Sequence, residues 1–300
     1  MNPKIFLRLI ISVGFLFVIS TGAATLSLFP TSRACAGARS NKIFGGVETE
    51  IDEFPWMALI EYEKKNSKGF HCGGSLISTR YILTAAHCVN PKSIPADWKP
   101  INVRLGEWDM STNPDCMEND CSDPHKNISI EKIIVHEEYN HESSTQPNDI
   151  ALIRLAEDVE FTDFIQPLCL PWSNELQTKT YVGKALDVAG WGKTERSTTN
   201  ARKLKAMVKG VDHSECVPAY RKLGVLLNTK QLCAGGEFGV DTCRGDSGGS
   251  LVAVDSTSGR PYYLAVGVVS FGPIPCGQAG IPGVYTKVAD YVPWIRNKVE

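Results

Sequence analysis

From Ile43 onward the sequence breaks into short apolar runs divided by clusters of Gly, Pro, Asn and Asp, and this punctuation constrains the fold most. The runs Met57 to Ile60, Ser75 to Thr84, Ile150 to Leu155, Ala185 to Ala189, Leu251 to Val254 and Tyr262 to Ser270 are strand-length and turn-bounded. That pattern predicts an all-β sandwich or barrel. The end reads differently, because Tyr291, Trp294, Ile295 and Val299 recur at three- and four-residue spacings and predict a terminal helix. With 300 residues, 43% of them apolar, the chain can bury one large core or two medium ones. No internal repeat is visible in the letters.

The N-terminus sets Lys4 and Arg8 before an apolar run from Leu9 to Ile19, followed by the small residues Gly22, Ala23 and Ala24. Residues 1–23 are therefore expected to be a signal peptide. A signal anchor is the rival reading, but the run is about half of the roughly 20 apolar residues that span a bilayer. Residues 24–42 are too few to hold a core. Ten cysteines form an even set in a chain bound for an oxidising compartment, and five disulfides are expected. A zinc site is the competing reading, but no paired C-x2-C knuckles occur, and Cys116 to Cys121 is a lone C-x4-C. Asn127-Ile128-Ser129 is an N-glycosylation sequon in a polar stretch. The formal charge of −2 offers no basic stripe, which sets aside nucleic acid and an anionic membrane as partners.

Three further motifs carry chemistry. A serine hydroxyl is a poor nucleophile at neutral pH, so it needs a base in contact, a group to orient that base, and donors for the oxyanion. Gly245-Asp246-Ser247-Gly248-Gly249 supplies a serine among glycines that permit a tight turn with amide N–H groups aimed at one spot. Alone it reads equally well as a polar turn. Thr84-Ala85-Ala86-His87-Cys88 puts a histidine beside a cysteine at the end of an apolar run, making His87 the candidate base. Asn148-Asp149-Ile150-Ala151-Leu152 places a carboxylate at the entry to an apolar strand, where burial beside an imidazole would hold one tautomer. The conjunction of the three, in the order His, Asp, Ser, favours a nucleophilic triad over three separate turn residues.

With Ile43-Phe44-Gly45-Gly46, these motifs make residues 43–300 resemble the trypsin/chymotrypsin family of serine proteases. The resemblance implies two six-stranded antiparallel β-barrels packed face to face with a C-terminal helix. Barrel 1 would span about 43–160 and barrel 2 about 161–300, with His87 and Asp149 on the first and Ser247 on the second. It further implies an oxyanion hole from the N–H groups of Gly245 and Ser247, and support of Asp149 by Ser270. The implied disulfides are Cys72–Cys88, Cys216–Cys233, Cys243–Cys276 and Cys35–Cys169, leaving Cys116 and Cys121 to pair. A bond common in the family is missing, with Leu186 and Ala253 at its two positions. Asp241 falls at the base of the family's primary pocket, with Ser270, Gly272 and Gly283 on the substrate-binding side, which implies cleavage after lysine or arginine. Phe271 and Ser250 depart from the commoner tryptophan and proline, a change expected in subsite shape rather than in the reaction.

The same resemblance makes Lys42-Ile43 an activation junction. Cutting it would free the Ile43 ammonium to pair with Asp246, and a trypsin-like activator would be the enzyme that cuts after Lys42. An α-amino group, ordinarily titrating at about 7.7 to 8.0, would need a raised value to stay charged. Activity should then fade in alkali. Held by Cys35, the propeptide would remain as a light chain.

Finer resemblance is to arthropod clip-domain proteases, on Asn41-Lys42-Ile43-Phe44-Gly45-Gly46, Glu53-Phe54-Pro55-Trp56-Met57-Ala58 and the loop from Gly106-Glu107-Trp108-Asp109 to Cys121. It implies an extracellular cascade serving innate immunity, melanisation or the Toll pathway, with protein substrates and serpin inhibitors as partners. A clip module needs six cysteines and only Cys35 precedes the junction, so no clip is expected. Glu107, Asp109, Thr112 and Asp115 lie on a loop that binds structural calcium in some relatives, against a plain reading as a solvated acidic loop. No cofactor is expected for catalysis. A digestive or venom trypsin is one rival function, and a non-catalytic homologue acting as a binding module is another. The presence of Ser247 argues against the second.

Overall fold

The computed structural model describes residues 29–32, 34–38, 46–193, 200–239 and 241–299. The expected signal peptide and the Lys42-Ile43 junction lie outside the described residues.

After a two-residue strand, β1 (Val47–Glu48), come β2 (Met57–Lys64), β3 (Ser67–Leu76), β4 (Tyr81–Thr84) and β5 (Lys99–Leu105). A small hairpin, β6 (Cys116–Met117) and β7 (Asp120–Cys121), precedes β8 (Lys126–Val135) and β9 (Ala151–Leu155). The second half holds β10 (Ala185–Gly190), β11 (Leu204–Val211), β12 (Gln231–Ala234), β13 (Ser250–Asp255), β14 (Tyr262–Phe271) and β15 (Gly283–Lys287). The helices are α1 (Ala86–Val89), α2 (Asn174–Gln177), α3 (His213–Lys222) and α4 (Val292–Lys298). Among the described residues no helix is long and apolar enough to cross a membrane.

Strands β2-β3-β4-β9-β8-β5 close into one antiparallel barrel. A second barrel runs β11-β10-β13-β14-β15-β12 and is closed by the β11–β12 pairing, with β1 added outside β11. Closure pairs both edges of each six-stranded barrel, which leaves the barrels themselves no long open edge. The apolar run Ser75 to Thr84 is not one strand but the end of β3, a turn, and β4. The turn forms because Ser78 Oγ accepts the N–H groups of Arg80 (3.2 Å) and Tyr81 (3.1 Å), which bends the backbone out of the ladder.

Each barrel is filled by the inward residues of its strands. Ile60, Ile82, Leu83, Leu152 and Ile153 lie in one core that also takes in Tyr263, Val268, Tyr291 and Ile295 from the second half. Leu186 and Ala253, at the positions of the missing family disulfide, are buried together in the second core. The terminal helix forms as expected, burying Tyr291, Ile295 and Val299, with the Trp294 ring 5.1 Å from that of His136. All five implied disulfides are present: Cys35–Cys169, Cys72–Cys88, Cys116–Cys121, Cys216–Cys233 and Cys243–Cys276.

Candidate active site

Asp149 sits immediately before β9, behind Asn148, whose positive φ of 56° makes the sharp entry to the strand. Tyr291 Oη donates to Asn148 Oδ1 at 2.9 Å, so the terminal helix segment helps to hold this corner. The Asp149 side chain is fully buried. Its Oδ1 accepts the backbone N–H of His87 at 2.8 Å, and its Oδ2 meets His87 Nδ1 at 2.8 Å and the Ser270 hydroxyl at 2.5 Å. A carboxylate can only accept, so the His87 proton belongs on Nδ1 and Nε2 is left as the base. Burial works against a charged imidazole, but the charge and hydrogen bond of Asp149 outweigh it and raise the His87 pKa. Burial likewise disfavours the charged carboxylate, yet His87, Ser270 and the His87 N–H together hold the Asp149 pKa below the usual range.

His87 lies in α1, and the Cys72–Cys88 bond ties that helix to β3. The serine turn is pressed against the same strand. Gly73 N–H donates to Ser247 O at 2.8 Å, and Gly248 N–H to Val269 O at 2.9 Å. Gly248 has φ of 80°, and a Cβ there would come within 2.3 Å of Thr84 Oγ1 and 2.5 Å of Gly73 O. Only glycine allows the second barrel's turn to approach the first this closely. The Ser247 hydroxyl has no hydrogen bond to His87 among the described residues; this contact is often long in free enzymes and tightens with substrate.

Gly245 has φ of 109°, and its preceding carbonyl, Arg244 O, accepts the Lys193 N–H at 2.8 Å. The planar peptide therefore points the Gly245 N–H the opposite way. Neither it nor the Ser247 N–H is used in a hydrogen bond among the described residues, leaving two donors for a developing oxyanion.

Asp246 turns inward instead. Its Oδ1 accepts the Gly192 N–H (2.9 Å) and its Oδ2 the Cys243 N–H (3.0 Å). A Cβ at Gly190 would fall 2.0 Å from this carboxylate. Burial raises the Asp246 pKa, with the two backbone donors opposing. A cleft of ≈ 70 Å³ links Gly46, the first described residue after the expected junction, to Asp246.

Asp241, Gly272 and Gly283 are brought together in a second recess. Asp241 Oδ1 accepts the Thr242 N–H at 2.8 Å, while Oδ2 is buried without a hydrogen-bond partner among the described residues. A Cβ on Gly283 would lie 2.8 Å from Oδ1, and one on Gly272 would lie 3.8 Å from Oδ2. Burial pushes the Asp241 pKa up to about 6, against the pull of backbone donors. Tyr285 Oη is a second buried group without a partner here. Sequence reasoning missed Tyr285, and also Thr286, whose hydroxyl donates to Asp149 O at 2.7 Å. Both lie on β15, and no local motif announces which strand faces the site.

The acidic loop does not fit a calcium ion as it stands, because its oxygens already face N–H and O–H donors. Asp115 Oδ2 accepts the N–H groups of Trp108 (2.8 Å) and Asp109 (2.9 Å), and its Oδ1 accepts the Thr112 hydroxyl (2.7 Å). Arg104 contacts Glu107 at 2.9 Å and Arg202 contacts Asp109 at 3.0 Å, so two guanidinium groups stand where a cation would act. Asn127 is exposed on β8, with its Oδ1 accepting from Arg104 Nε at 2.8 Å.

The family description "Trypsin" matches residues 43–295. Among curated relatives, the chain is 54% identical over 280 residues to Serine protease ea of Drosophila melanogaster, covering 91% of this chain and 71% of that one. It is 46% identical over 280 residues to CLIP domain-containing serine protease HP8 of Bombyx mori, covering 93% and 75%. It is 50% identical over 278 residues to Melanization protease 1 of Drosophila melanogaster, covering 91% and 69%. The solved structure of the Drosophila Grass clip serine protease of the Toll pathway superposes with a TM-score of 0.77 at 38% identity, covering 91% of this chain and 77% of that one.

Proposed function

As a member of the trypsin family the chain is a serine endopeptidase, and we propose that it is a secreted zymogen that cuts protein substrates after arginine or lysine in an extracellular immune cascade. Ser247 Oγ attacks the scissile carbonyl while His87 Nε2 takes its proton and returns it to the leaving amine. Asp149, held by Ser270 and the His87 N–H, keeps the imidazole in one tautomer and stabilises its charged form. The N–H groups of Gly245 and Ser247 receive the oxyanion.

The observation that carries the specificity is Asp241 Oδ2, buried without a hydrogen-bond partner among the described residues beside two glycines whose missing side chains leave the entrance open. A buried carboxylate is favourable only when paired, and a substrate guanidinium or ammonium supplies the partner. Asp246 argues for latency in the same way: two backbone N–H groups hold it, and the ammonium of Ile43 freed by cleavage after Lys42 would complete the pairing. The activator is then itself trypsin-like. Cascade membership and extracellular residence draw on the named relatives in melanisation and the Toll pathway and on five disulfides. The Cys35–Cys169 tether favours a cascade enzyme over a digestive trypsin. Serpins of the same fluid are the expected inhibitors.

The test is to cleave the secreted precursor after Lys42 and compare hydrolysis of arginyl, lysyl and aromatic peptide amides before and after, beside Ser247→Ala. The proposal expects activity only after cleavage, confined to the basic amides and absent from the variant. A correctly cleaved protein silent on every substrate would leave a binding homologue as the better reading.

A further inference from the structure

A second cleft, of ≈ 750 Å³, begins at Gly245 and runs away from the Asp241 recess onto the first barrel. Its lining comes from both halves: Leu59 on β2, Phe70 and His71 on β3, Met110 after β5, and Trp191, Lys193 and Arg244 from the second. The direction of a bound peptide follows from the proposed mechanism, on which this inference rests. The side chain before the cut bond enters the Asp241 recess, so the leaving amine must face His87 to be protonated. His87 adjoins Cys88, which is bonded to Cys72, and Phe70 and His71 come immediately before Cys72. The residues after the cut bond therefore pass over this cleft.

We propose that this cleft selects the segment after the cut bond, taking a bulky apolar side chain into its floor and an acidic one at its rim. The floor is apolar and held in place. Leu59 and Trp191 are buried, Trp191 Nε1 donates to Trp108 O at 3.1 Å, and the Arg104 guanidinium lies 4.7 Å over the Phe70 ring. A fixed, half-buried apolar hollow gains most from a side chain that completes its burial. At the rim, Lys193 and Arg244 are exposed and locked side by side through the 2.8 Å backbone hydrogen bond. Among the described residues neither forms a salt bridge and no carboxylate lines the cleft. Two adjacent like charges favour an acidic residue and disfavour a basic one.

The test uses the cleaved, active full chain and internally quenched peptides that share one arginine-ended acyl half and differ only in the three residues after the cut. An arginyl coumarylamide, which has no such residues, reports the proposed activity separately. Leucine or phenylalanine in place of glycine should raise kcat/KM about tenfold. Aspartate in place of lysine should raise it about threefold to tenfold, and the gain should shrink as salt is added. The double variant Lys193→Glu, Arg244→Glu should reverse the acidic-over-basic ratio, and Phe70→Ala, or Met110→Ala if that variant does not fold, should flatten the apolar ratio. Because ratios are taken within one enzyme, a general loss of rate cancels. Equal rates across the peptides, or ratios unmoved by the variants, overturn the inference while leaving the function standing if the coumarylamide is cut. An enzyme that cuts neither class of substrate overturns both.

Discussion

Two aspartates of the site share a residue type and differ in partners. Asp149 is fully buried and has three donors, so it stays charged and serves His87. Asp241 is pushed up to about 6 by burial, with backbone donors opposing, and its Oδ2 has no hydrogen-bond partner among the described residues. If Asp241 is the anchor proposed above, the sign of its pH dependence follows: the carboxylate would bind a cation above that value and lose the attraction as it protonates below. Benzamidine, a cation that needs no catalytic proton transfer, should bind the cleaved enzyme progressively more weakly as pH falls from 7 to 5. Calorimetry showing a flat affinity over that window would mean that Asp241 is not the anchor. Proteolysis itself should fall off sooner on the acid side, since His87 must be neutral and its pKa is raised. These residue types were legible from motif spacing. Their charge states were not, because those depend on donors brought from distant strands, such as Ser270 on β14.

At the scale of elements, the sequence exposes strands but not the charges buried between them. Lys205 on β11 reaches Glu53 at 2.6 Å, with both side chains nearly buried. Nearby Asp187 on β10 has its pKa pushed up to about 6, first by burial and then by Glu53, with Lys205 opposing. Lys205→Met would leave two carboxylates without their cation and should cost about 3 kcal/mol of stability at pH 8. The cost should be smaller at pH 5, because Asp187, pushed up to about 6, is then neutralised by protonation. The double variant Lys205→Met, Glu53→Leu should recover most of the loss, as measured by denaturant midpoints. A double variant as unstable as the single one would show that the pair is not the cause. In the letters Glu53 and Lys205 are 152 positions apart, and nothing local links them.

For the whole molecule, the site exists because two closed barrels meet. Gly248 of the second presses on Gly73 and Thr84 of the first, and Asp149 of the first takes one of its three donors, Ser270, from the second. The segment around Cys35 joins this body as well: the disulfide to Cys169 closes a loop of 134 residues, and Ala36 adds a backbone bond to Pro167 at 2.9 Å. After cleavage behind Lys42, the two pieces should co-migrate under denaturing conditions and separate only when reduced. Separation without reductant would show the tether to be unmade. In the uncut precursor, Cys35→Ser should lower stability by about 4 kcal/mol, since so long a loop restricts the unfolded chain strongly.

Chemistry and class were legible in the letters because His87, Asp149 and Ser247 each sit in a short motif whose neighbours shape the local backbone. The even cysteine count and the turn-bounded runs came through for the same reason, being properties of composition and near neighbours. The tertiary structure alone decided that Asp241 is left one donor short, that Arg104 and Arg202 fill the acidic loop, and that Lys193 and Arg244 rim an apolar cleft. Each of these depends on desolvation and on partners far away in sequence, and burial is a property of the packed chain rather than of any segment in it.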